Sequence, residues 1–210
     1  MYQLNDCYAS MPWDEIDNVV FDVGNVLLTL KSDEAAAHLF PQEPEMSVRL
    51  MECLRDSPYW CMLDRGAITE ADAARVMAKG DAAVEKALTC LMQGADAFKR
   101  PVEEGVRAAR ACKAHGKRLY ILSNYDSDSF ARMEEKHDFF RLFDGMVVSA
   151  RVHLMKPEPS IYHYLLDTYG LNAARTLFID DMPYNVESAL NVGLQAVCFR
   201  KPGTLDAFIR

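Results

Sequence analysis

From Pro101 onward the chain alternates short, wholly apolar runs with longer mixed stretches, and few architectures accept that pattern. The runs lie at 117–122, 145–149, 175–180 and 194–199, and an earlier one spans about 17 to 23. Strands apolar on both faces belong in a parallel sheet covered by helices on each side. The segments between them, 101–115, 126–137, 158–169 and 183–192, predict helices, which makes the chain α/β with a doubly wound parallel sheet. Residues 31–98 hold no convincing strand and are rich in Ala, Met, Leu, Glu and Arg, all good helix formers. Within them, Thr69-Glu70-Ala71-Asp72 opens like a capping box, and Leu88, Leu91 and Met92 form an apolar stripe at helical spacing. The predicted organisation is an α/β core of residues 1–30 and 99–210 with a helical cap inserted at 31–98. Residues 1–16 read as a loose lead-in, with Trp13 the residue able to pin it to the core.

Composition narrows the partners. A length of 210 residues suits one core domain plus a small insertion. A net charge of −8 and a pI near 5.1 leave no basic patch for a nucleic-acid backbone. No stretch approaches the ~18 apolar residues of a membrane span, and the N-terminus lacks the basic region of a signal peptide. The six cysteines, at 7, 53, 61, 90, 112 and 198, form no C-x-x-C pair and no zinc-like spacing. A reducing, cytoplasmic setting is the expectation, with Cys53, Cys61, Cys90 and Cys112 behaving as small buried hydrophobes. No G-x-G-x-x-G or Walker lysine loop points to a dinucleotide or nucleoside triphosphate.

Four sites carry chemistry-bearing residues where apolar runs end. In Val-Val-Phe-Asp-Val-Gly-Asn, Asp22 follows the first run, at the edge where open α/β sheets bind ligands. An acid there serves as nucleophile, metal ligand or both. Taken alone, it reads equally as a turn former. Gly24 is expected to permit a tight turn and close backbone approach. The run Thr176 to Ile179 ends in Asp180 and Asp181, whose adjacent charges call for a compensating cation such as Mg²⁺. The competing reading has Asp181 capping the next helix and Asp180 solvated. Ser123 and Asn124 end the run at 117–122 and either bind an anion such as phosphate or cap a helix. Lys156, in Lys156-Pro157-Glu158-Pro159, stands at a proline-stiffened helix entry that would hold it in place.

Taken in order, FDVGNVL, LYILSN, MKPEPSIY and FIDDMPYN resemble the four motifs of the haloacid dehalogenase-like hydrolase superfamily, over roughly residues 17 to 200. Within it the chain resembles the small-capped group that includes sugar-phosphate phosphatases and the phosphatase domain of soluble epoxide hydrolases. The stretch Trp60 to Glu70 is similar to that group's cap segment, where Arg65 is a candidate for reaching a phosphate or sugar hydroxyl. The resemblance implies that Asp22 is the nucleophile and that Ser123, Asn124 and Lys156 bind phosphate, Lys156 also acting in catalysis. It implies Mg²⁺ held by Asp22, the Gly24 carbonyl and Asp181, with Asp180 in the second shell. One departure stands out: most phosphatases of the superfamily carry a second Asp where this chain has Gly24, so the usual acid for the leaving group is missing.

The leading expectation is a Mg²⁺-dependent phosphatase of a small phosphorylated metabolite, a sugar phosphate being one candidate, working through an aspartyl-phosphate. A metal-independent haloacid dehalogenase also uses the first Asp and tolerates Gly24, although the acid pair argues for a metal. A ligand-sensing protein without turnover is the third reading, supported only by Gly24. Met51, Trp60 and Met62 are expected to pack between cap helices, and His153 to lie in a surface loop. Oligomeric state and exact substrate are not legible.

Overall fold

The computed structural model describes residues 13–29, 31–55, 57–200 and 202–205. The first twelve residues of the expected lead-in, Cys7 among them, lie outside these. β1 (Asn18–Phe21) is followed by five helices, α1 (Ser32–Leu39), α2 (Pro44–Leu54), α3 (Pro58–Asp64), α4 (Glu70–Met77) and α5 (Ala82–Gly94). The alternating part then runs α6 (Glu103–Ala114), β2 (Arg118–Ser123), α7 (Ser127–Lys136), β3 (Gly145–Val148) and α8 (Ser149–Val152). It finishes with α9 (Pro159–Tyr169), β4 (Thr176–Asp180), α10 (Pro183–Val192) and β5 (Gln195–Cys198). All pairings are parallel, in the order β3-β2-β1-β4-β5. β1 is central because its four residues are fully buried, which only a strand flanked on both edges and both faces achieves.

Strand parity sorts side chains into two layers. Val19, Phe21, Leu119, Ile121, Leu177 and Ile179 pack with Val106, Ala109 and Cys112 of α6 and with Phe130 and Met133 of α7. Val20, Tyr120, Leu122, Phe178 and Ala196 face Ile161, Tyr162 and Leu165 of α9 and Val186 and Ala189 of α10. Burying one such side chain contributes roughly 1.5–3 kcal/mol before entropy is counted. α9 and α10 each begin on a proline and end at a left-handed glycine, Gly170 and Gly193, so start and stop are both written locally.

The helical insertion between β1 and β2 has an apolar cluster of its own, drawn from residues 35–98 and including Leu50, Leu63, Met77, Leu88, Leu91 and Met92. Thr69 and Asp72 form the expected capping box on α4, and Asp81 caps α5 through the Ala83 and Val84 amides. The chain leaves and re-enters the core side by side. Val102 N donates to Leu27 O and Thr29 N to Arg100 O, both at 2.9 Å. Met51 and Trp60 pack against the cap cluster as expected, whereas Met62 stays 39% exposed. The cysteines depart from expectation. Only Cys112 of the four is buried; Cys53 is half-buried, and Cys61 and Cys90 are exposed. Trp13 does pack on the core, with the Lys117 ammonium 4.8 Å from its ring centre.

The α6 helix reaches the turn after β1 only because Gly105 has no side chain. A Cβ there would sit 1.8 Å from the Val26 carbonyl oxygen. Gly105→Ala is expected to cost about 1–3 kcal/mol through forced displacement of backbone. Gly116→Ala, at a left-handed position in open space, should cost less, as thermal or urea unfolding of the two variants will show.

Candidate active site

The carboxyl ends of β1, β2 and β4 converge at the middle of the sheet, where the strand order changes direction. Asp22 N donates to Ile179 O at 2.9 Å, so the ladder continues one residue past β1 and delivers Asp22 beside β4. The chain then turns sharply: the Val23 carbonyl accepts from both Leu27 N and Leu28 N at 2.9 Å. The left-handed residue of this turn is Asn25, at φ 53°, and not Gly24. Asn is among the few residues other than Gly that adopt this conformation readily. The tight turn expected at Gly24 is present, and its left-handed position is taken by the next residue.

Asp22 is buried, and its Oδ1 accepts from Ser123 Oγ and Lys156 Nζ, both at 2.8 Å. The Lys156 side chain is only 1% exposed and also reaches Asp180 Oδ2 at 2.6 Å. Parity explains the meeting: Asp22 and Asp180 fall on the same face as Val20 and Phe178, the face covered by α9 and α10. The Lys156 backbone is clamped by the Asn124 amide, which donates to Lys156 O and accepts from Lys156 N, each at 2.8 Å. The Asn124 side chain therefore positions the lysine. The helix cap that Ser123 or Asn124 could have provided belongs to Asp126, which accepts from Ser129 N at 2.8 Å.

The two terminal acids differ sharply. Asp180 is fully buried and takes the Met182 amide at 2.8 Å on Oδ1, with the Asn185 amide at 3.0 and 3.1 Å on its two oxygens. Asp180 is thus not solvated, and Asp181 does not cap α10, whose N-cap is Met182 with no side-chain cap hydrogen bond. Asp181 is half-buried and accepts from Asn25 Nδ2 at 3.0 Å on Oδ2. One oxygen from each of Asp22, Asp180 and Asp181 lies within 4.8 Å of the others. Because Asp180 is already occupied by Lys156, Asn185 and Met182, the oxygens left for a hard cation are those of Asp22 and Asp181. Such a donor set of two carboxylates suits Mg²⁺.

The electrostatics follow from burial. Loss of water pushes the Asp22 carboxyl up to about 6, the Asp180 charge adds to this, and Lys156 and Ser123 oppose it. Burial alone would lower the Lys156 ammonium, but Asp180 and Asp22 outweigh it and hold the group above its usual value. Burial and the Asp180 charge also raise Asp181 against the Asn25 hydrogen bond.

At the cap, Arg65 is ion-paired with Glu158 and donates to His153 O at 3.3 Å. It ties cap to core in place of the substrate contact considered for it. His153 is exposed, with Nδ1 3.0 Å from Arg65 O. Two residues of the site escaped sequence reasoning although both stood inside quoted motifs: Asn25, on Asp181, and Asn185, on Asp180. Asp64 escaped it as well. Burial and the Asp126 charge push its carboxyl up to about 7, against Lys99, and the Asp22 charge adds to the rise.

Known proteins agree with this architecture. The chain is 25% identical over 175 residues to the sesquiterpene phosphatase astK of Aspergillus oryzae, covering 83% of this chain and 85% of that protein. It is 32% identical over 98 residues to mouse bifunctional epoxide hydrolase 2, across 44% of this chain, but spans only 17% of that much longer protein. Among solved structures, a HAD family enzyme of Bacteroides thetaiotaomicron, in complex with magnesium and inorganic phosphate, superposes with a TM-score of 0.67. It shares 22% identity over 90% of this chain and 96% of its own. The family model of haloacid dehalogenase-like hydrolases matches residues 16–193, and the chain belongs to that family.

Proposed function

We propose that the protein is a Mg²⁺-dependent phosphomonoesterase that hydrolyses a small phosphorylated metabolite, sugar phosphates included, through an aspartyl-phosphate on Asp22. The observation that carries the reading is the tethering of one Asp22 oxygen by Ser123 and Lys156, beside the acidic oxygens of Asp181. The phosphatase name of the Aspergillus relative and the magnesium and phosphate of the Bacteroides enzyme support it.

Asp22 attacks phosphorus, forming the acyl phosphate, and water then releases inorganic phosphate and regenerates the carboxylate. Lys156 and Ser123, which already meet at Asp22, hold phosphoryl oxygens close to the attacking oxygen, with the Asn124 backbone amide adding a donor. Asp22, the Gly24 carbonyl and Asp181 would hold Mg²⁺, and Asp180 would act behind them through Lys156. When bound, the ion supplies positive charge that offsets repulsion between the carboxylates and the incoming phosphate. A metal-free dehalogenase would have no use for the Asp181 carboxylate beside Asp22, so the acid cluster favours the phosphatase.

Asp22→Asn should abolish release of phosphate from p-nitrophenyl phosphate while keeping the fold. In the chelated form it should also raise stability at pH 7.5 by on the order of 1–3 kcal/mol, since it removes a carboxylate that burial disfavours. The sign follows from Asp22 being raised when folded, to about 6. The unfolded chain ionises it near 3.9, so the penalty grows from there to about 6, and the advantage of Asn should fade below about pH 4. Denaturant titrations at both pH values check this. Asp181→Ala should raise the Mg²⁺ requirement more than about 100-fold with little loss of stability. Asp180→Asn should raise it about 10–100-fold and lower the melting temperature markedly, because Lys156 loses a buried counter-charge.

A further inference from the structure

We propose that Asp64, in the cap, is the acid that protonates the leaving oxygen and the base that then deprotonates the attacking water. The assignment rests on the phosphomonoesterase reading. That reaction needs a proton donor opposite Asp22, and Gly24 has no side chain to provide one.

The acids around the site can be taken in turn. Asp22 is the nucleophile. Asp180 is saturated by Lys156, Asn185 and the Met182 amide. Asp181 stands with Asn25 on the cation side. Asp126 is committed to the first turn of α7 through Ser129 N. Asp64 differs from all of these: among the described residues its carboxyl makes no hydrogen bond or ion pair, yet it lies within electrostatic reach of Asp22, Asp126 and Lys99.

Its backbone is docked firmly. The Asp64 carbonyl accepts from Ser149 Oγ, and that oxygen accepts from Tyr125 N at 2.9 Å. Asp64 is therefore two hydrogen bonds from the strand end that bears Ser123 and Asn124. The next residue, Arg65, is ion-paired with Glu158. The one after it, Gly66, is left-handed and lies so close to α8 that a Cβ would fall 2.3 Å from Ala150 O. Three consecutive residues thus fix this end of α3 against the core. The charges that act on the Asp64 carboxyl are those of Asp126 at the start of α7, Lys99 on the returning connection and Asp22 after β1. Burial does most to favour its protonated form, the two acids add to it, and Lys99 opposes it. An acid held near neutrality is suited to giving and retaking a proton.

The step balances. An Asp22 oxygen bonds to phosphorus as the ester P–O bond breaks; the leaving oxygen keeps that electron pair and takes the Asp64 proton, departing as an alcohol. The Asp64 carboxylate then takes a proton from water as the water oxygen bonds to phosphorus and the bond to Asp22 breaks. The products are alcohol, inorganic phosphate and the starting enzyme.

The test compares an alkyl phosphate with p-nitrophenyl phosphate on the Mg²⁺-loaded enzyme, in wild type and Asp64→Asn. Because kcat/KM reports the first chemical step, loss of the acid should lower it for the alkyl ester by about 10²–10⁴. The aryl ester, whose phenolate leaves without a proton, should fall far less. Equal effects on the two esters, or none on either, would overturn the assignment. Should Asp64→Asn fail to fold, the wild type decides. A decline of alkyl kcat/KM as pH rises above about 7, absent for the aryl ester, supports Asp64, and identical profiles overturn it. If wild type with Mg²⁺ hydrolyses neither ester, the phosphomonoesterase reading itself falls, and this assignment with it.

Discussion

Lys156 lies in the interior of the protein with its charge shared between Asp22 and Asp180, and the arrangement of the site depends on that contact. An ammonium so buried is tolerable only when opposite charges compensate the lost hydration. Both carboxylates are in turn buried by the strands that carry them. The ammonium therefore joins the ends of β1 and β4 to the loop before α9, and the Asn124 amide adds the end of β2. Removing Lys156 or Asp180 leaves a buried charge uncompensated, at a cost of about 3–5 kcal/mol. Neutralising Asp22, whose charge burial already disfavours, still leaves Asp180 to answer the ammonium. The same geometry aims one Asp22 oxygen and leaves the other without a partner among the described residues.

The cap meets this core across a polar seam. Asp96, buried beside the returning connection, binds Lys99, Ser129 and Arg132, and Arg132 reaches on to Glu70 of α4. Arg65 and Glu158 make a second tie nearer the site. Because the cap's apolar cluster is separate from the two layers around the sheet, its shape can vary without disturbing the residues that handle phosphorus. Polar seams of this kind are more easily parted than apolar ones.

Much of this was legible in the sequence because it is local. Apolar runs ending in Asp22, Ser123 and Asp180 became strands within a residue or two of their expected limits, since strand character is written in consecutive residues. The Thr69–Asp72 capping box was readable for the same reason. Which of two adjacent acids is buried was harder: it follows from strand parity and from which helices cover that face. The Arg65–Glu158 pair joins residues far apart in the chain, and a side chain read alone looks free to meet a ligand. The left-handed turn residue proved to be Asn25, because a glycine shows only that a conformation is permitted. Asp64 was hidden by its neighbours, an Arg and a Gly that draw attention in any sequence. Its importance lies in proximity to Asp22, Asp126 and Lys99, which only the fold creates.

The central claim is that the Asp22 carboxylate itself bonds to phosphorus. The most direct measurement is rapid acid quench of the Mg²⁺-loaded enzyme during turnover of p-nitrophenyl phosphate, followed by borohydride reduction and peptide mass spectrometry. An acyl phosphate on Asp22 is reduced to homoserine, so the account predicts homoserine at position 22, dependent on substrate. Phosphate release with position 22 unmodified, or with the reduced residue at another acid, would contradict it.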